Sequence, residues 1–152
     1  MTTHAHPTAS PRTQVQKAAQ FVGAVFLLVG VLGFVPGITT NYDSMEFAAH
    51  HSGAELLGIF QVSVLHNLVH LLFGIAGLAL ARSVGTARNY LVVGGAVYLV
   101  LWLYGLLIDH SSDANFVPVN TADNWLHFFL GIGMIALGFF LTRGAGATRT
   151  RR

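Results

Sequence analysis

Two apolar stretches of this chain carry side chains that can bind a ligand through nitrogen or oxygen. In HNLVHLLFG, His66 and His70 lie four residues apart, and in DNWLHFFLG, Asp123 and His127 have the same spacing. Because residues four apart share a helical face, each pair points its ligand atoms to one side. If the two helices face each other, three imidazoles and one carboxylate would suit zinc or another borderline divalent ion. The predicted metal ligands are therefore His66, His70, Asp123 and His127.

Haem is the alternative cofactor. His70 and His127, one from each helix, could serve as the two axial ligands of a haem held in an apolar slot. The chain contains no cysteine. This excludes disulfides, thiolate metal sites and covalent c-type haem.

A purely structural interpretation uses the same residues as a polar stripe. Asn67, His70 and Gly74 fall on one face of a helix, and the matching stripe of the second segment consists of Asn124, His127 and Gly131. Inside a membrane, polar side chains turn towards the bundle interior, and glycine lets helices approach closely. The stripes would then join the helices through hydrogen bonds without binding anything.

The two stretches also indicate an internal repeat. NLVHLLFGIAG, from Asn67, aligns with NWLHFFLGIGM, from Asn124, and GAVFLLVG, from Gly23, aligns with GAVYLVLW, from Gly95. Each half would be a helical hairpin with the same orientation, related by a pseudo-two-fold axis along the membrane normal.

Composition indicates that lipid is the solvent for most of the chain. Hydrophobic residues make up 53% and charged residues 9%, whereas soluble domains carry about a quarter charged residues. Four segments approach the roughly 20 apolar residues that a membrane-spanning helix needs. A Ser52–Glu55 capping box would begin the second of these helices, and an Asn120–Asp123 cap the fourth. We predict an all-α, four-helix bundle with a flexible N-terminal tail at 1–17, helices at about 18–35, 53–82, 90–108 and 121–142, and a basic tail at 143–152.

Charge predicts the orientation in the membrane. All eight basic residues lie before the first helix, in the short second loop or after the fourth helix, and all six acidic residues lie in or beside the other two loops. By the positive-inside rule, both termini are cytoplasmic and the protein lies in the inner (plasma) membrane. The pI near 9.4 thus reflects topology and not nucleic-acid binding. The histidine site would face the outer side.

Three stretches resemble a family of small four-helix membrane proteins of unknown function from actinobacteria. They are HNLVHLLFGIAGLALAR, GGAVYLVLWLYG and VNTADNWLHFFLGIGM, and the resemblance covers roughly Ala18 to Thr142. The resemblance implies four spans and brings no established activity.

The sequence favours a non-enzymatic structural or accessory membrane subunit, since it carries no nucleophile elbow, phosphate loop or zinc-protease motif. Its partners would be the lipid bilayer and either a second copy or another membrane protein. Two alternatives stay open. One is an outer-facing histidine site for a divalent metal or haem, and the other is a small-solute or proton pathway within an oligomer.

Overall fold

Four α-helices form the protein, as the composition and apolar segments predict. The computed structural model describes residues 11–147, and side chains as far as residue 142. Residues 148–152, which are half of the predicted basic tail, and residues 1–10 of the predicted N-terminal tail lie outside this description. The helices are α1 (Gln14–Leu32), α2 (Val64–Leu80), α3 (Val84–Leu107) and α4 (Thr121–Ala147).

The helices pack as two hairpins, α1 with α2 and α3 with α4, joined by a tight turn at residues 81–83. Gln16 on α1 donates hydrogen bonds from Nε2 to the carbonyls of Ala81 and Arg82, at 3.1 and 2.9 Å. Apolar side chains from α1, α3 and α4 make the core between the hairpins, among them Phe26, Leu91 and Met134.

Within each hairpin the two helices touch backbone to backbone at glycines. A Cβ built on Gly23 of α1 would lie 2.9 Å from the carbonyl oxygen of Gly74 on α2. A Cβ on Gly95 of α3 would lie 2.6 Å from the carbonyl oxygen of Gly131 on α4. No larger residue fits there without movement of the backbone. Gly74 and Gly131 thus make the close helix contacts expected of stripe glycines.

Helix α2 begins at Val64, later than the predicted start near residue 53. Its N-cap is Ser63, whose hydroxyl accepts a hydrogen bond from the backbone N–H of His66 at 3.1 Å. Ser52 instead donates its hydroxyl to the carbonyl of Val62 at 2.5 Å, and Glu55 lies in a strand. The Ser-x-x-Glu pattern therefore serves a folded loop. The Asn120 cap of α4 forms as predicted: Asn120 Oδ1 accepts from the N–H of Asp123 at 3.0 Å.

Residues 33–63, which we call the cap loop, contain a small antiparallel sheet. Strands β1 (Thr39–Thr40), β2 (Glu55–Leu56) and β3 (Phe60–Gln61) pair in that order. The turn between β2 and β3 uses the left-handed conformation at Leu57 and Gly58, with φ of 57° and 69°. This loop and the α3–α4 loop lie at one end of the bundle, together with all six acidic residues. We call this end the acidic end.

The bundle belongs in a membrane. Helices α1 and α3, and residues Thr121–Thr142 of α4, are long and apolar enough to cross a bilayer, while α2 is apolar but shorter, with 17 residues. Large apolar side chains cover the outer surface, including Leu72, Phe129 and Leu107, which are 66%, 66% and 84% exposed. A surface of this kind is stable only in contact with lipid or with another apolar surface.

Candidate functional site: a cavity between the two hairpins

A cavity of about 280 Å³ lies between α1 and α4, under the cap loop. Its walls are mostly apolar, with Val22, Phe26 and Val29 of α1 and Leu126 and Leu130 of α4 among the lining residues. The polar side chains are few and come from α2, α3 and α4. They are His66, Asn67, His70, Tyr98, Asp123 and His127.

All four residues predicted as metal ligands line this cavity. His66, Asp123 and His127 are buried, with 6%, 3% and 6% of their surface exposed, and His70 is partly buried. The fold therefore brings together residues from two helices and two hairpins that are more than fifty positions apart in the chain.

Backbone carbonyls hold the two imidazoles of α2. His66 Nδ1 lies 3.2 Å from the carbonyl oxygen of Pro118, and His70 Nδ1 lies 3.0 Å from that of His66. Since a carbonyl can only accept, each Nδ1 must carry the proton. In the neutral ring, Nε2 then has a free lone pair, and neither Nε2 is hydrogen-bonded to a protein group within residues 11–142. The rings stack with their centroids 4.6 Å apart.

His127 is held differently. Its Nδ1 is buried and has no hydrogen-bond partner among the described residues. Its ring contacts Tyr98 edge-on, with centroids 5.1 Å apart. Further ring contacts lead from Tyr98 to Phe26 and from Phe26 to His70, at 5.4 and 5.5 Å. Because buried polar atoms are nearly always paired in folded proteins, the orphan nitrogen of His127 calls for an explanation.

Asp123 joins the cap loop to α4. Its Oδ2 accepts hydrogen bonds from the backbone N–H groups of Gln61 and Asn120, both at 2.9 Å. The Asn120 side chain adds a bond from Nδ2 to the carbonyl of Ile59, at 2.7 Å. The carboxylate thus holds β3 over the cavity as well as capping α4.

The asparagines of the two stripes pack within their own hairpins. Asn67 lies against Gly33 at the end of α1, and Asn124 lies against Gly105 of α3. A side chain at either glycine would overlap the amide. Asn67 also points Nδ2 towards Met45 Sδ at 3.9 Å, while Asn124 Oδ1 is buried without a partner in the described part of the chain.

The four predicted metal ligands share the cavity without forming a tight cluster. Within the described residues, the histidines and carboxylates whose ligand atoms all lie within 4.8 Å of one another are His50, His51 and Asp113. The set His66, His70, Asp123 and His127 shares a cavity but is not drawn together this closely. It stays a prediction, as does the axial pair His70 and His127.

Two parts of the cavity are not predicted by the sequence patterns. Tyr98 is 3% exposed and comes from α3, which carries no polar stripe. Leu56, Phe60 and Val62 come from the cap loop. Helical periodicity in the sequence does not predict how this loop folds. The one sequence feature that could have indicated a cavity residue on α3 is the tyrosine in the middle of its apolar span.

The fold and cavity define a four-helix membrane protein with a mostly apolar internal site. The chain belongs to the family described as "Domain of unknown function (DUF4383)", whose model matches residues 16–140. This confirms the predicted membership of a family of unknown function. No curated protein and no solved structure matches the chain.

Proposed function

We propose that this membrane protein binds a small lipophilic molecule carrying one or two hydroxyl groups. The observation that carries the proposal is the set of three imidazoles in a mostly apolar cavity. Among the described residues, Nε2 of His66 and of His70 has no hydrogen-bond partner, and neither has the buried Nδ1 of His127. Ligand sites typically combine apolar walls with a few convergent polar groups of this kind.

The hydrogen-bonding pattern selects the chemistry of the ligand. The Nε2 atoms of His66 and His70 accept hydrogen bonds when their rings are neutral, so they favour a donor such as an alcohol or phenol. His127 can donate or accept, according to its tautomer. Within the part of the chain that the structure describes, no lysine or arginine lines the cavity, and this disfavours a phosphate or carboxylate ligand.

The shape of the cavity supports access from the bilayer. Phe21, Val25 and Leu126 line it and are 71%, 38% and 44% exposed on the lipid-facing surface of α1 and α4. The cap loop covers the cavity at the acidic end through Leu56 and Phe60. A molecule dissolved in the membrane would pass between α1 and α4 without crossing water.

We place the protein in the plasma membrane with both termini in the cytoplasm because of the order of charges along the sequence. The basic residues lie near the start of α1, near the α2–α3 turn, or towards and beyond the end of α4, whereas the acidic residues lie in or beside the other two loops. The cavity is then near the outer side. An accessory subunit that works as an oligomer or with a membrane partner is the second candidate, and the extensive exposed apolar surface favours it. A function as an accessory subunit gives no role to the unpartnered Nδ1 of His127.

We also infer that the two hairpins derive from a duplicated unit. The glycine contacts Gly23–Gly74 and Gly95–Gly131 occur at aligned positions, and so do the packing pairs Gly33–Asn67 and Gly105–Asn124. The N-caps agree as well, since Ser63 accepts from the N–H of His66 and Asn120 from that of Asp123. In this alignment His66 and Asp123 are equivalent, so the halves have diverged at the cavity.

Mass spectrometry of co-purified molecules tests the function. The full-length protein, without a histidine tag, is extracted with its native lipids into nanodiscs, and a solvent extract is analysed together with elemental content and the visible spectrum. We expect a hydroxylated lipophilic compound near one per protein. Val25→Trp, which fills the cavity wall, should remove it, and Val100→Trp, on the lipid-facing surface, should retain it.

Each other result favours a different function. Stoichiometric metal lost on His70→Ala would replace the proposal with the metal site, and a haem band would replace it with the axial pair. A solvent extract and spectrum without any bound species would contradict a ligand and favour the accessory subunit. Equal retention of a compound by both tryptophan variants would identify it as bulk lipid and would also contradict the proposal.

A further inference from the structure

A second cluster of possible ligands lies at the acidic end, outside the cavity. His50 and His51 belong to the cap loop and Asp113 to the α3–α4 loop, and one ligand atom of each lies within 4.8 Å of the others. His50 Nδ1 is 3.9 Å from Asp113 Oδ1, and the two imidazole rings are 3.8 Å apart between centroids. The two histidines are adjacent in sequence, but only the fold brings the aspartate to them.

We infer that His50, His51 and Asp113 form a binding site for zinc or another borderline divalent cation. Two imidazoles and one carboxylate are a common ligand set for such ions, with a water molecule in the remaining position. Two ligands on one tetrahedral zinc lie roughly 3.4 Å apart, given metal–ligand distances of about 2.1 Å. His50 Nδ1 and Asp113 Oδ1 are 3.9 Å apart and all three ligand atoms lie within 4.8 Å of one another, so the side chains would have to close by roughly 0.5–1.4 Å to bind one ion.

The environment of His50 is a second observation that favours a cation at the cluster. Its side chain is only 15% exposed, and its Nδ1 is buried with no hydrogen-bond partner among the described residues. The Asp113 carboxylate, 3.9 Å away, is too distant for a hydrogen bond. Asp113 itself is fully exposed and free to turn towards an ion. A cation between the two side chains would satisfy the nitrogen.

The backbone around the cluster is already positioned. The N–H of Ala49 donates to the carbonyl of Phe116 at 2.6 Å, which joins the two loops beside the site. Gln61 Nε2 donates to the carbonyl of His50 at 3.2 Å and so fixes the loop from the other side. Binding of a cation would thus cost little ordering of the chain.

The electrostatic setting favours a cation. All six acidic residues of the chain lie at this end, and its eight basic residues lie elsewhere in the sequence. Asp109 adds a carboxylate in the same loop as Asp113, and the hydroxyl and backbone N–H of Ser111 donate to it at 2.7 and 2.9 Å. These hydrogen bonds lower the pKa of Asp109. Such a concentration of negative charge raises the local concentration of divalent ions.

The site would join the two loops of the acidic end. It would fix the cap loop, which covers the cavity, to the loop that precedes α4. This inference does not depend on the proposed ligand of the cavity, because the two sites share no residue.

Zinc titration tests the inference. The untagged full-length protein in detergent is treated with a chelator, dialysed and titrated with zinc chloride by calorimetry, and its melting temperature is followed in parallel. We expect one zinc per chain and a rise in melting temperature. His51→Ala and Asp113→Asn, which change exposed side chains, should each weaken binding at least about tenfold without altering the circular dichroism spectrum.

Two variants serve as controls. Asp43→Asn removes another exposed carboxylate of the cap loop and should leave zinc binding unchanged. His127→Gln changes the cavity and should also leave it unchanged. Absence of zinc binding, equal binding by wild type, His51→Ala and Asp113→Asn, or loss of binding in His127→Gln would each overturn the inference.

Discussion

His70 Nδ1 lies 3.0 Å from the backbone carbonyl oxygen of His66, one turn earlier in α2. This single contact fixes the orientation of the imidazole and leaves Nε2 as its free nitrogen. The same ring is therefore both a structural group, through Nδ1, and a candidate ligand-binding group, through Nε2. Substitutions can separate the two roles.

Replacing His70 with glutamine tests this separation. The amide can keep one polar contact, so we expect the free energy of unfolding to change by less than about 1 kcal/mol, the usual range for hydrogen bonds in membrane proteins. The amount of co-purified hydroxylated compound should fall severalfold. Unfolding in mixed detergent measures the free energy of unfolding, and mass spectrometry of the same preparation measures the amount of bound compound. Full retention of the compound would contradict a role for Nε2.

The glycine contacts predict that alanine substitutions at two glycines of α3 will differ sharply in their effect on stability. Gly95→Ala places a methyl group 2.6 Å from the carbonyl oxygen of Gly131, so we expect destabilisation of about 1–3 kcal/mol. Gly85→Ala, also in α3, has nothing within 4 Å of the new Cβ and should be neutral or stabilise by up to about 1 kcal/mol. Thermal unfolding of both variants in the same detergent measures the difference in their stability. Equal stabilities would show that α3 and α4 do not pack at Gly95.

The hydrogen bonds of Asp123 predict a local effect on the cap loop. Asp123→Ala removes the acceptor for the N–H groups of Gln61 and Asn120, which we expect to cost about 1–3 kcal/mol locally. Hydrogen exchange should accelerate at residues 55–61 and stay unchanged in α3. Asp43→Ala, an exposed acid of the same loop, is the matched control. Unchanged exchange at Gln61 would mean that the carboxylate does not hold β3.

The orientation in the membrane can be measured with single cysteines, because the chain has none of its own. Asp113→Cys, at the acidic end, should react in intact cells with a maleimide that cannot cross membranes. Gly85→Cys, just after the α2–α3 turn, should react only after permeabilisation. Both positions are exposed, so accessibility within the fold is matched. The opposite labelling pattern would place the termini outside.

The amino-acid sequence alone determined that this is an all-α membrane protein of four helices and predicted its close glycine contacts. Runs of apolar residues, the Asn120–Asp123 cap and the positions of Gly74 and Gly131 act over a few residues, so they can be interpreted without a structure. Tertiary structure decided the start of α2, the folded cap loop, the contribution of Tyr98 and the meeting of His50 with Asp113. These features depend on contacts between distant segments, and no local pattern encodes which distant side chains the packing of two hairpins will bring together.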